Sequence, residues 1–204
     1  MDRTEQIFNL MKSLAHERFK QSRRVIEEYC QENRNEIAAG FISAFKDAFT
    51  KAAHLQKSQE KGKARYLVLS HIYSSVWIGG YSIKLDIFDK RFYADPIEID
   101  AYLRLDWLHN FLSDDMGYFR KELIKQYITS IREYELEQIK YRYLYYYHSV
   151  ALELISGNMQ AILCLPEFLS LKVEPEFEIL FGGYMDKAIV IWSETEDNNE
   201  VFSA

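Results

Sequence analysis

The chain has 204 residues, 48% of them hydrophobic, so it can bury a core as one domain or as a domain with an attached helical unit. Three prolines and eight glycines are few for this length, which favours long helices over an all-β sandwich. The net charge is −6, the N-terminal segment does not resemble a secretory leader, and no uncharged apolar run reaches membrane-spanning length. We therefore expect a cytoplasmic protein that does not enter a membrane.

Residues 1–60 are predicted to form a helical hairpin, because apolar side chains recur there at helical spacing in two separate stripes. The first stripe begins at Ile7, and the second contains Phe41, Phe45 and Phe49. A polar segment follows and is the best candidate for a linker between the hairpin and the rest of the chain. The sequence thus divides into this hairpin, an α+β core and a tail.

The core, 61–193, begins with a predicted β-hairpin around Gly79-Gly80. Apolar and polar residues alternate from 81 to 87, which is typical of a strand with one buried face. The two glycines can adopt the positive φ angles of a two-residue turn. The segment before them, 66–78, is compatible with either a strand or a helix.

A second hairpin is predicted over 177–192 around Gly182-Gly183. Its second strand is almost continuously apolar, which predicts burial on both faces. Because an isolated hairpin is marginally stable, both hairpins are expected to join one antiparallel sheet covered by the long helices.

Local signals also predict where the remaining helices begin and end. The sequence Asp95-Pro96-Ile97-Glu98 has the composition of a capping box and predicts a helix start, and Ser113-Asp114-Asp115 predicts a stop followed by a new start. The stretch 116–155 is compatible with one helix or two, and Gly157-Asn158 predicts its end. The tail, 194–204, is acidic and predicted to be disordered. The predicted class is α+β, predominantly helical.

No motif for catalysis, phosphate binding or metal binding stands out, so no metal and no cofactor is predicted. The five histidines are scattered, and only Asp106 and His109 lie three residues apart on one helical face. These two residues are weak candidates for acid–base catalysis or metal binding, against capping or a surface hydrogen bond. The two cysteines, Cys30 and Cys164, are predicted to be reduced and buried.

The most unusual local composition is the aromatic run 140–148. Tyr143, Tyr146 and Tyr147, with Arg142, predict either core packing or a partner-binding surface. The leading hypothesis is a non-enzymatic interaction or regulatory protein that binds a protein partner or self-associates through an aromatic-rich helical surface. A small enzyme or ligand-binding protein with a pocket between sheet and helices is the alternative. Because the first 65 residues are basic overall, nucleic-acid binding is a second alternative.

Overall fold

The computed structural model describes residues 3–126 and 131–194. Helices dominate, and five strands form one sheet, so the predicted α+β class with mostly helical content is confirmed. The elements in chain order are α1 (Arg3–Glu32), α2 (Arg34–Lys57), β1 (Ala64–His71), α3 (Tyr73–Trp77), β2 (Ser82–Phe88), a 3₁₀ turn (Phe92–Ala94), β3 (Tyr102–Arg104), α4 (Asp106–Gln126), α5 (Glu133–Leu163), α6 (Pro166–Leu169), β4 (Val173–Gly183) and β5 (Ala188–Ser193).

The predicted N-terminal helical hairpin is confirmed, with α1 and α2 separated at Asn33. The Asn33 side-chain amide donates a hydrogen bond to the carbonyl of Tyr29 at 2.9 Å, so it satisfies the end of α1. Phe41, Phe45 and Phe49 are fully buried on one face of α2. Both helices contribute to one hydrophobic cluster shared with the rest of the protein. The division of the chain at residues 60 and 193 stays a prediction.

The sheet has the strand order β3-β2-β1-β4-β5 and is mixed, which corrects the prediction of a purely antiparallel sheet. β1 pairs antiparallel with β2 but parallel with β4, which lies more than a hundred residues away in the sequence. Local hairpin signals carry no information about which strands meet across such a distance. The second predicted hairpin, β4 with β5, is confirmed.

The first predicted hairpin was wrong in its connection. The ambiguous segment 66–78 contains the end of β1 and then the short helix α3, so β1 and β2 are not joined by a two-residue turn. Gly79 has a φ of 90° and follows α3, where a positive φ lets the chain leave the helix. The glycine pair therefore ends a helix and does not form the tip of a hairpin.

Three of the predicted helix boundaries were wrong, two of them because a tertiary partner occupies an aspartate side chain. Asp95 does not begin a helix, since its buried carboxylate accepts from the Lys61 ammonium at 2.7 Å and from the Ile97 amide at 3.1 Å. The following helix starts eleven residues later, at Asp106. Gly157-Asn158 also fails to end α5, which continues to Leu163.

Asp115 does not end α4 either, although Ser113-Asp114-Asp115 resembles a stop. It is completely buried and accepts hydrogen bonds from Arg18 and Ser22 of α1, both at 2.6 Å. It also accepts from the hydroxyls of Tyr143 and Tyr147 of α5, both at 2.8 Å. One carboxylate thus joins α1, α4 and α5, and the charge-assisted bonds satisfy a group that would otherwise be costly to bury.

The stretch 116–155 contains parts of two helices, α4 and α5, and no single helix spans it.

Two burial predictions were wrong. Cys164 is exposed and Cys30 half-buried, both as free thiols. β5 is an edge strand with exposed Ile189 and Val190, so it is not buried on both faces. The predicted tail, 194–204, lies outside the described residues except for Glu194.

Candidate functional site

A groove of about 420 Å³ lies between α4 and α5, and we call it the α4–α5 groove. Its α4 wall comes from residues 109–120 and its α5 wall from residues 133–140, each at the spacing of one helical face. Its apolar lining includes the half-buried Met116 and the buried Leu112 and Leu136, and the exposed Trp77 from the end of α3 lies at the groove as well. Its volume falls in the range of ligand pockets, about 300 to 1,000 Å³.

The absence of a side chain at Gly117 helps to keep the groove open. Gly117 lines the groove, and a β-carbon added there would have no atom within 4 Å. A larger side chain at this position would therefore project into free space. Gly157, on α5, is equally unobstructed but does not line the groove.

The charged groups of the groove form pairs with each other. Arg120 donates to the Glu133 carboxylate at 2.5 Å, and the Lys140 ammonium lies 4.0 Å from Glu137. Lys140 also donates to the carbonyl of Val76 at 3.3 Å, which ties α5 to α3. Since two cations meet two anions, the groove offers no excess charge to an ionic ligand.

The two weak catalytic candidates have different surroundings. His109 lines the groove, and burial together with nearby Lys140 lowers the pKa of its imidazole. Asp106 instead accepts a hydrogen bond from the Tyr81 amide at 3.0 Å, and the lining of the groove does not include it. Through this hydrogen bond, Asp106 at the start of α4 holds Tyr81, the residue before β2, against the helix. Whether either residue has a catalytic role stays a prediction.

The tyrosines of the run 140–148 are divided between core and surface. Tyr143 and Tyr147 are buried with their hydroxyls on Asp115, so neither contributes to an exposed surface. Tyr146 is half-buried and packs on Phe19, with ring centroids 4.7 Å apart. Arg142 is exposed, with its guanidinium 3.6 Å from the centroid of the Phe8 ring. A partner-binding role for these residues stays a prediction.

A different set of residues, missed in the sequence, forms an exposed aromatic patch beside the groove. Trp77 is 67% exposed and Ile78 is 87% exposed at the end of α3. The rings of Tyr73 and Tyr141 stack at 5.0 Å and connect α3 to α5. We call these four residues the aromatic patch. The available signal was two large apolar residues directly before Gly79-Gly80, in the segment 66–78 that is compatible with a strand or a helix.

A second cluster missed in the sequence is a stacked pair of half-buried histidines. His71, at the end of β1, stacks on His148 of α5 with ring centroids 3.8 Å apart and an interplanar angle of 22°. The Tyr81 hydroxyl lies 2.6 Å from Nδ1 of His148, whereas Nε2 of His148 and Nδ1 of His71 are buried without a hydrogen-bond partner. His71 and His148 are far apart in the sequence, and no local sequence signal predicts that their side chains pack together.

Burial lowers the pKa of His71 to about 4, although Asp186 opposes the shift. Burial and the neighbouring His71 lower the pKa of His148 to about 3. Both imidazoles are thus neutral at pH 7. Ligand lone pairs lie in the ring plane, so two nearly parallel stacked rings are poorly arranged to chelate one metal ion. Residues 3–126 and 131–194 contain no cluster of three or more metal-ligating side chains.

Three lysines of the basic first 65 residues, Lys46, Lys51 and Lys61, lie beside carboxylates. Lys46 pairs with Glu167 at 2.9 Å, and Lys51 pairs with Asp47 at 2.7 Å. Lys61 is buried against a carboxylate. These pairs reduce the positive potential that a phosphate backbone would meet, so they add no support for nucleic-acid binding.

No protein-family model, curated protein or solved structure matches this chain. Within the described residues, no helix has the length and apolar character needed to cross a membrane. The fold and site define an α+β protein with an open groove between two helices and an aromatic patch at its edge.

Proposed function

We propose that this chain is a non-enzymatic interaction protein that holds a segment of a partner protein in the α4–α5 groove. The observation that carries this proposal is the position of Trp77 and Ile78, two large and mostly exposed apolar residues, beside a groove with apolar surface. Exposed aromatic side chains next to a cavity are typical of the anchoring positions of protein interfaces. This proposal assigns the aromatic-rich surface to α3 and α5 together.

The composition of the groove defines the chemistry of the partner segment. Its charged side chains already pair with each other, so binding energy must come chiefly from apolar contact. A segment with one or two large apolar side chains fits this arrangement, as in other helix-lined grooves. Met116 and the exposed ring of Trp77 would contact these side chains.

Selection of a displayed random-peptide library on the purified chain tests the proposal. We expect enriched peptides to contain large apolar residues and to bind with micromolar Kd. Gly117→Phe should weaken binding at least about tenfold, because the new ring occupies the groove, which corresponds to about 1.4 kcal/mol. Gly157→Phe is the matched control, since it adds the same ring on α5 away from the groove.

Two results would overturn the proposal. One is a selection that enriches no peptide above background. The other is peptides that bind the Gly117→Phe and Gly157→Phe variants equally well, because binding would then lie outside the groove. Circular dichroism of both variants establishes that the helices are retained.

The groove also supports a second candidate function, a small-molecule site with His109 as a proton acceptor. The observation in its favour is that an imidazole with a lowered pKa lines the cavity. A thermal-shift screen of small polar metabolites distinguishes the candidates. Stabilisation that His109→Gln abolishes would favour the small-molecule site, whereas peptide binding unaffected by His109→Gln would favour the interaction protein.

A further inference from the structure

One face of β2 carries a buried lysine between two carboxylates. The Lys84 ammonium lies 3.0 Å from Oδ2 of Asp86, which is two residues along the same strand and therefore on the same face of the sheet. The ammonium also donates a hydrogen bond to Oε2 of Glu98 at 2.6 Å. The side chains of Lys84 and Asp86 are only 7% and 3% exposed. The ring of Tyr184, in the β4–β5 turn, covers the ammonium at 4.8 Å, so bulk water has little access to this pair.

The Asp86 carboxylate is not fully satisfied in this arrangement. Its Oδ1 is buried and accepts no hydrogen bond from any of the described residues. Burial raises the pKa of Asp86, and Glu98 adds to that shift, although Lys84 opposes it. A buried carboxylate with an unpaired oxygen is costly, and most of that cost disappears when the group is neutral. Conversion of the ion pair into a neutral group would therefore stabilise this site.

A second buried ion pair, Lys61 with Asp95, shows what is distinctive about the first. The Lys61 ammonium lies 2.7 Å from Oδ2 of Asp95. Both oxygens of Asp95 accept backbone hydrogen bonds, however, and the other acceptor of the Lys61 ammonium is the carbonyl of Ile97. A carbonyl does not take up a proton near neutral pH, whereas the Glu98 carboxylate can do so. Of these two pairs, the one at Lys84 combines an amine, a carboxyl group and a proton acceptor.

We propose that Lys84 and Asp86 form an intramolecular amide bond, with Glu98 as the proton carrier. Glu98 takes a proton from the Lys84 ammonium and passes it to Oδ2 of Asp86, and the neutral Nζ then attacks Cγ. The Nζ–Cγ bond forms, and Glu98 transfers a second proton from Nζ to Oδ2. The Cγ–Oδ2 bond breaks, so Oδ2 leaves with both protons as water, and nothing is oxidised or reduced.

The reaction requires the contact that Glu98 makes. Although burial disfavours the ammonium, its hydrogen bonds to Glu98 and Asp86 raise the pKa of Lys84, so a neighbouring base has to remove the proton. Glu98 is 55% exposed, which gives the released water a route to solvent. The site lies on β2 and away from the α4–α5 groove, so this inference does not depend on the proposed peptide binding.

Intact-mass measurement of the denatured full chain tests the bond. We expect a mass lower than that of the sequence by one water molecule. Because trypsin does not cleave after an acylated lysine, the digest should contain the peptide 66–90 with Lys84 uncleaved and one water missing. An intact mass without loss of water, or complete cleavage after Lys84, overturns the proposal.

Variants separate this bond from other losses of water. Lys84→Arg should restore the full mass because it removes the nucleophile, and Glu98→Gln should do so because it removes the proton carrier. Lys61→Arg is the matched control, since it changes the other buried pair, and it should still lack one water. Asp86→Asn should lose ammonia in place of water, because the amide nitrogen becomes the leaving group.

Two variant results would contradict the proposal. A loss of water that persists in Lys84→Arg lies elsewhere, as a cyclic imide at Asp86 would, and refutes the bond. An undiminished loss of water in Glu98→Gln refutes the role of Glu98 as the proton carrier.

Discussion

Acidification from pH 7 to pH 5 is expected to destabilise the fold through the stacked imidazoles of His71 and His148. Their pKa values, about 4 and about 3, lie below the ordinary histidine value of 6.5. Between pH 6.5 and about 4, the unfolded chain therefore binds protons that the folded chain does not. Stability is complete above pH 6.5 and falls as the pH decreases through this window.

The magnitude follows from the size of the two shifts. A pKa difference of one unit corresponds to about 1.4 kcal/mol, so at pH 5 the unfavourable contribution of His148 is about 2 kcal/mol. The contribution of His71 is smaller, since this residue is only partly buried and solvent screens its charge. Together they amount to about 3 kcal/mol, a large part of the 5 to 15 kcal/mol typical of a domain.

Urea unfolding at pH 7, 6 and 5 measures this effect directly. We expect the midpoint to fall by about 1 M or more between pH 7 and pH 5. His148→Asn keeps a neutral polar atom near the Tyr81 hydroxyl but cannot be protonated, so this variant should lose roughly half or more of the pH dependence. His16→Asn, at an exposed position, should leave the dependence unchanged.

The reasoning would be refuted if the variant with both His71→Asn and His148→Asn lost as much stability between pH 7 and pH 5 as the natural chain. His109, whose pKa is also lowered, contributes in the same direction and is retained in that variant. Carboxylates with lowered pKa values, such as Asp89, titrate below this window and do not obscure the result.

Two buried charges lead to the remaining predictions. Asp115→Asn should lower the free energy of unfolding by about 3 kcal/mol, because it removes the charge that Arg18 pairs with and replaces one of the two accepting oxygens with an NH2 donor. Chemical denaturation measures the loss, and a change below 1 kcal/mol would contradict the role of Asp115 as a junction. Lys61→Met leaves Asp95 buried without its cation and should cost about 3 kcal/mol at pH 7. Chemical denaturation at pH 7 measures this loss, and a change below 1 kcal/mol would contradict a stabilising Lys61–Asp95 pair.

The helices were predictable where an apolar stripe coincides with burial, as in α1 and α2. The stop predicted at Asp115 and the start predicted at Asp95 failed for a common reason. An aspartate near a helix boundary and an aspartate that binds a distant cation have the same local sequence. Arg18 and Lys61, which decide the outcome, lie 97 and 34 residues away from their carboxylates.

The candidate site was only partly predictable. His109 was identified from its spacing to Asp106, although the two residues have different surroundings. The aromatic patch was missed, because only the fold brings Tyr73 of α3 beside Tyr141 of α5 and leaves the rings of Trp77 and Tyr141 exposed. The exposure of β5 was missed for a similar reason, since an apolar run is compatible with a central or an edge strand.

The parallel pairing of β1 with β4 also determines the order in which this protein can be completed during synthesis. β2 and β3 can cover one side of β1 early, but the other side is covered only by residues 173–183. During synthesis, α4, α5 and most of the chain therefore leave the ribosome while the side of β1 that pairs with β4 is still unpaired. Such late, long-range strand pairing slows folding and exposes the nascent chain to aggregation.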